Sequence, residues 1–150
     1  MGLYYLETSS LVKLYVQEPG TEVMLRLADR AVGHRLVVLA VSRVEFRSAV
    51  RRREREGDMS QAVAERVISL FEQHVQTRYV TQPISELVLV SAAALLDQHV
   101  LRAYDAIQLA GCLVLRASSG KEQPVFVCSD AQLLEAARLE GLAALNPVGA

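Results

Sequence analysis

The feature that most restricts the fold of this chain is its alternation of short, continuously apolar runs with longer helix-patterned stretches. The apolar runs are "LYYLE" (3–7), "RLVVLAV" (35–41), "RYVT" (78–81), "PVFVC" (124–128) and, more weakly, "LAALN" (142–146). Helix-type segments cover 42–56, 60–77, 84–99, 103–118 and 130–140. Another is marked by Leu25, Leu27 and Ala28, and a helix-like stretch with Leu11, Leu14 and Tyr15 follows the first run. Strands apolar on both faces, alternating with helices, indicate a parallel sheet covered on both sides. The expected fold is an α/β three-layer sandwich with a mainly parallel central sheet flanked by helices. No repeat, low-complexity tract or linker divides the sequence, so residues 1–150 are expected to form a single domain.

No apolar stretch approaches the length of a bilayer span, and the N-terminus lacks a basic region followed by a signal-type apolar core. The expectation is a soluble, cytoplasmic protein without a membrane partner. Cys112 and Cys128 make no metal-ligand pair and suit a reducing compartment. The formal net charge of −1 gives no global basic field. Locally, six arginines (43, 47, 51, 52, 53, 55) face three glutamates (45, 54, 56) between Arg43 and Glu56. This segregation marks a candidate phosphate-binding edge, or else a solvated helix end.

In sheets of this kind ligands sit in the crevice beyond the carboxyl ends of the strands. Four acids stand near such positions. Glu7 closes the first strand, on the face of Leu3 and Tyr5, and is either an exposed strand end with Thr8 or Ser9 capping the next helix, or part of a site. Glu45 fits a capping box, Ser42-Arg43-Val44-Glu45. Yet small Ser48 and Ala49 share its side of the helix, so it need not face bulk water. Asp105 lies in the first turn of an apolar helix, where the macrodipole favours an acid. Asp130 is either an N-cap or, if Ser129 and Gln132 form the box, free at the helix mouth.

Four carboxylates converging in one crevice repel unless a cation neutralises them. With no thiolate or imidazole partner, they suit Mg²⁺ or Mn²⁺ better than zinc. His34, His74 and His99 have no paired ligand spacing. The joint pattern points to a metal site.

The four segments, taken together, resemble the PIN domain family, most closely its VapC-type toxin ribonucleases. "YLETSSLVKLYVQEPG" is similar to the family's opening Y-L-D-T-S-A-L-V-K-L-Y, and "VSRVEFRSAVRRR" to the segment bearing the second acid. "LRAYDAIQLA" resembles L-R-A-x-D-A-I-H-L-A, and "VFVCSDAQLLEAARLEGLAALNP" the closing strand–acid–helix. The resemblance implies an acidic cluster of Glu7, Glu45, Asp105 and Asp130, with Glu7, Asp105 and Asp130 on the metal and Thr8 or Ser9 in support. It further implies hydrolysis of RNA phosphodiester bonds by a metal-activated water. An inhibiting antitoxin and a homodimer are also implied. Apolar positions such as Val88, Ala92 and Leu95 could serve that dimer or the core. Arg43, Arg47 and Arg51 form a column suited to RNA phosphates.

Two positions depart from the family pattern. Glu7 replaces the usual Asp, and an extra methylene in such a site can cost about 100-fold. A catalytically degraded module that still binds RNA or an antitoxin is therefore the alternative reading. Gln108 replaces a frequent His and reads as peripheral. Other acid-bearing α/β sites fit less well. A receiver-like phosphoacceptor would need an acid pair at the first strand and a late Lys, and an aspartyl phosphatase would need D-x-D. Neither is present, nor is either glycine fingerprint of dinucleotide or P-loop binding.

Overall fold

The computed structural model describes residues 1–149. Five strands form one sheet: β1 (Leu3–Leu6), β2 (Arg35–Leu39), β3 (Val80–Gln82), β4 (Pro124–Val127) and β5 (Ala143–Leu145). Their order is β3-β2-β1-β4-β5 and every pairing is parallel, as the apolar runs predict. The intervening helices are α1 (Thr8–Val12), α2 (Thr21–Leu27), α3 (Ser42–Arg55), α4 (Gln61–Thr77), α5 (Glu86–Gln98), α6 (Ala103–Ser118) and α7 (Ala131–Leu139). Each expected strand and helix is present, with ends shifted by a few residues.

The sheet separates two apolar layers because successive side chains on a strand point to opposite faces. Tyr5, Val37, Leu39 and Phe126 pack against residues of α5, α6 and α7. Leu6, Leu36, Val38 and Val127 pack on the other face with Leu11, Met24, Phe46, Val50 and Phe71. The Phe46 and Phe71 rings stack with centroids 4.0 Å apart, locking α3 onto α4. Val88, Ala92 and Leu95 are buried in the first layer, which settles their role as core and removes them as a dimer surface.

This arrangement fixes where a ligand can sit. The chain moves from β1 outward to β2 and β3, then crosses back to β4 and β5 on the other side of β1. The strand order therefore reverses at β1, and its carboxyl end opens into the crevice that such a reversal creates. Glu7 lies there, its backbone N–H donating to Val127 O at 3.0 Å.

The first helix is shorter than its sequence suggests. After Val12 the chain tightens, with Lys13 and Leu14 donating to the carbonyls three residues back. Lys13 then turns inward, and its buried ammonium meets Glu18 at 2.8 Å. Arg53 of α3 pairs with the same carboxylate. No single helix among the described residues is long and apolar enough to cross a membrane.

Helix α6 passes close to β1 because position 111 has no side chain. A Cβ on Gly111 would lie 2.4 Å from Tyr5 Oη and 2.9 Å from Leu39 Cδ1. Gly111→Ala should therefore destabilise the protein by about 1–3 kcal/mol through overpacking. Urea denaturation would register this as a lower midpoint at unchanged slope; an unchanged midpoint would contradict the close approach.

Candidate active site

Three elements meet at the carboxyl end of β1 and enclose a cleft of about 550 Å³. The start of α1 contributes Glu7, Thr8 and Ser9. One wall comes from α3, with Val44, Glu45, Ser48, Ala49 and Arg52. The other comes from the start of α6, with Arg102, Ala103, Tyr104 and Asp105. Three of the four expected acids thus line one space although up to 98 positions separate them along the chain. Ser48 and Ala49 lie beside Glu45 as the helical spacing predicts.

Glu7 is buried, which overturns its reading as an exposed strand end. Its own carboxylate, rather than a hydroxyl of Thr8 or Ser9, caps α1. Oε1 accepts from the Ser9 backbone N–H at 2.9 Å and also from the Ser9 hydroxyl. Ser9 Oγ in turn accepts from Ser129 N–H at 3.0 Å, joining α1 to the β4–α7 turn. Burial pushes the Glu7 carboxyl up to about 7, against the lowering pull of the Ser9 hydrogen bonds and with a further push from the Glu45 charge.

The capping box expected at Ser42 does not form. Helix α3 begins after Val41 with no side-chain cap, and Ser42 is fully buried inside it. The reason is Gln108, whose amide also lies in the interior. Gln108 Nε2 donates to Glu45 Oε1 at 2.7 Å and to Ser42 Oγ at 3.0 Å, and is 3.2 Å from Thr8 Oγ1. Its Oε1 accepts from Tyr5 Oη at 3.1 Å. Thr8 Oγ1 donates to Glu45 Oε1 as well, at 2.9 Å. Two donors therefore converge on one oxygen of Glu45. Burial raises the Glu45 carboxyl, these donors lower it, and the Asp105 charge raises it again.

Gln108 is thus the centre of the polar network, not the peripheral residue the sequence implies. Its signal was its register: three residues after Asp105, it shares the buried stripe with Leu109 and Cys112. Thr8 and Ser9 divide their support, Thr8 holding Glu45 and Ser9 holding Glu7.

Asp130 takes the capping alternative. Its Oδ1 accepts from Leu133 N–H at 3.0 Å, Ser129 is not the cap, and Gln132 donates instead to Val100 O. Asp130 is not among the residues lining the cleft. The arginine column also stays outside it. Arg43 pairs with Glu72 at 2.7 Å, Arg51 pairs with Glu54 at 2.7 Å, and Arg47 is exposed. The cleft arginines are Arg52 and Arg102. Arg52 could have been read from its spacing, since it lies seven residues after Glu45 and four after Ser48. The histidines are engaged elsewhere: His34 with Gly2, His74 with Tyr15 and His99 with Glu140.

Carboxylate and hydroxyl oxygens are the donors a hard divalent ion takes. Burial and mutual repulsion at Glu7 and Glu45 are costs that a cation would relieve. In chemistry and position, the set fits such an ion. The side chains are not drawn into a cage, however. Among the described residues no three His, Cys, Asp or Glu groups stand close enough to hold one ion. Glu7 is turned onto Ser9, and Asp105 accepts from Arg102 Nε at 3.3 Å.

The raised Glu7 carboxyl has a consequence for stability. The folded protein holds this proton more tightly than the unfolded chain, whose carboxyl has its ordinary value near 4.5. The resulting stabilisation is complete below about pH 4.5 and is lost as pH rises through about 7. Relative to Glu7→Gln, wild type should lose on the order of 3 kcal/mol across that range, leaving the variant the more stable protein at pH 8. Denaturant titrations at pH 5 and pH 8 measure this; parallel pH profiles for the two proteins would contradict it.

Comparison with known proteins agrees with this architecture. The PIN domain family model matches residues 4–143. No curated protein matches the chain. Among solved structures, VapBC2 from Rickettsia felis, bound to a DNA fragment from its promoter, aligns at 14% identity and a TM-score of 0.65. The alignment covers 96% of this chain and 98% of that one. FitAcB from Neisseria gonorrhoeae aligns at 14% identity and 0.61, covering 97% and 98%. PAE2754 from Pyrobaculum aerophilum aligns at 19% identity and 0.64, covering 97% and 90%. These neighbours share the fold, and the family model spans nearly the whole sequence: the chain belongs to the PIN domain family.

Proposed function

We propose that this protein is a metal-dependent endoribonuclease of the toxin type, hydrolysing RNA phosphodiester bonds in the cleft at the end of β1. The observation that carries the reading is the convergence of Glu7, Glu45 and Asp105 from three separate elements on one cleft, at the cost of burying charge. A protein that gathers acids against electrostatic cost has a use for them. Glu7, Glu45 and Asp105 would hold Mg²⁺ or Mn²⁺, with Asp130 kept at the margin by its cap. The ion would supply charge neutralisation at the phosphate and an activated water.

The chain's own residues do the rest. Gln108 and Thr8 donate to Glu45 Oε1, which favours its charged form against burial and fixes its orientation, leaving Oε2 without either of these two donors. Ser9 orients Glu7 through its backbone N–H and hydroxyl, partly offsetting the burial that raises that carboxyl. Arg52 and Arg102, on opposite walls, draw a phosphate toward a pocket that would otherwise repel it. The structural neighbours include VapBC and FitAB complexes, which supports a cognate antitoxin as a partner.

One observation favours the second reading, a degraded module that binds RNA or antitoxin without cutting. The longer Glu7 side chain folds back onto Ser9 instead of joining Asp105 in a cage.

Labelled RNAs incubated with purified protein, in Mg²⁺, Mn²⁺ or EDTA, separate the two. The nuclease reading expects cleavage that EDTA abolishes and that Asp105→Asn lowers by about 100-fold or more. Cleavage by Glu7→Asp alone, with none by wild type, selects the degraded module. Cleavage that persists in EDTA and in Asp105→Asn contradicts both.

A further inference from the structure

The chain has no tryptophan, five tyrosines and three phenylalanines. Only one of these rings is exposed: Tyr104, with 57% of its surface open, while every other is buried or half-buried. That ring lies at the start of α6 as part of the cleft wall, two residues after Arg102 and next to Asp105. Its position is unfavourable for packing, because the apolar face of α6 lies elsewhere, on Ala106, Leu109 and Ala110. The Tyr104 hydroxyl makes no hydrogen bond among the described residues, and most of the side chain is left open to solvent.

The groups around it match the parts of a nucleotide. Arg102 spends only its Nε on Asp105, and 84% of its side chain is exposed, leaving the outer guanidinium nitrogens available to a phosphate. Across the cleft stand Arg52 and the exposed side chain of Val44. Phosphate donors, an aromatic face and an apolar contact bordering one acidic cleft are the elements of single-strand recognition, in which bases stack on rings and the backbone follows positive charge.

From this placement we infer that Tyr104 is a base-stacking subsite of the cleft, holding an unpaired base next to the phosphate that Arg102 and Arg52 draw in. The inference rests on the nuclease reading and deepens it by assigning one residue of this chain to the base beside the phosphate. A base held in a duplex has no free face to offer the ring, so this subsite takes only an unpaired base. A ring also accepts every base, so this subsite chooses strandedness rather than sequence.

Tyr104→Trp introduces the only tryptophan and makes the subsite directly observable. With Ca²⁺ present to limit cleavage, three probes are titrated: a single-stranded 12-nucleotide RNA, its duplex, and an abasic ribose-phosphate strand of equal length. The expected result is quenching of the indole by the single strand, with little change from the duplex or the abasic strand. In parallel, Tyr104→Ala should bind the single strand at least about fivefold more weakly than wild type, and Tyr104→Phe should match wild type. Equal quenching by all three probes, or wild-type affinity in Tyr104→Ala, overturns the inference. The latter result would leave the ring to a protein partner. If wild type still cuts RNA in Mg²⁺ or Mn²⁺, that failure touches Tyr104 alone. RNA that is neither bound nor cut by any form overturns the nuclease reading as well.

Discussion

The hydrogen bonds of one buried amide connect the elements that make the cleft. Gln108 of α6 accepts from Tyr5 of β1 and donates to Glu45 and Ser42 of α3, within reach of Thr8 of α1. An amide in a fully apolar layer would be costly, and so would each of its partners. Satisfied together, they set the distance between sheet and helices and hold Glu45 at the cleft. Gly111 makes this possible by letting α6 come close enough for Tyr5 Oη to reach Gln108. The polar network is also directional. The Glu45 charge pins the amide with its N–H₂ toward α3, so the amide orients the acid and the acid orients the amide.

Most of the architecture was legible in the sequence because parallel strands buried on both faces leave an unmistakable trace. "RLVVLAV" and "PVFVC" have no polar face, and both became strands of the predicted sheet. The convergence of three acids was legible too, since sheet topology places strand ends and following helices in one crevice. What could not be read was the partner of each polar group. Ser42 looked like a cap by local pattern, but a residue 66 positions away claimed its hydroxyl. Asp130 went the other way and took the local role. Tertiary hydrogen bonding overrides a cap worth about 1 kcal/mol when a buried donor would otherwise be left unpaired.

Charge shows the same division between local and distant partners. The arginine-rich stretch reads as one basic edge in sequence, yet its members have separate uses. Arg43, Arg51 and Arg53 are neutralised by glutamates on α4, on α3 itself and in the loop before α2. Arg52 faces the acids across the cleft from Arg102. The site therefore combines an acidic base with a basic rim, an arrangement that accepts an anion only after its own carboxylates are neutralised.

In the proposed nuclease, Gln108 orients the half-buried Glu45 carboxylate for a divalent cation. Mn²⁺ binding at pH 8, followed by the paramagnetic resonance of the free ion, tests it without reference to any RNA. Wild type is predicted to bind Mn²⁺, Asp105→Asn to lose that binding, and Gln108→Leu to bind about 10- to 100-fold more weakly while remaining folded by circular dichroism. Absence of Mn²⁺ binding by wild type, or equal affinity in all three proteins, would contradict the account.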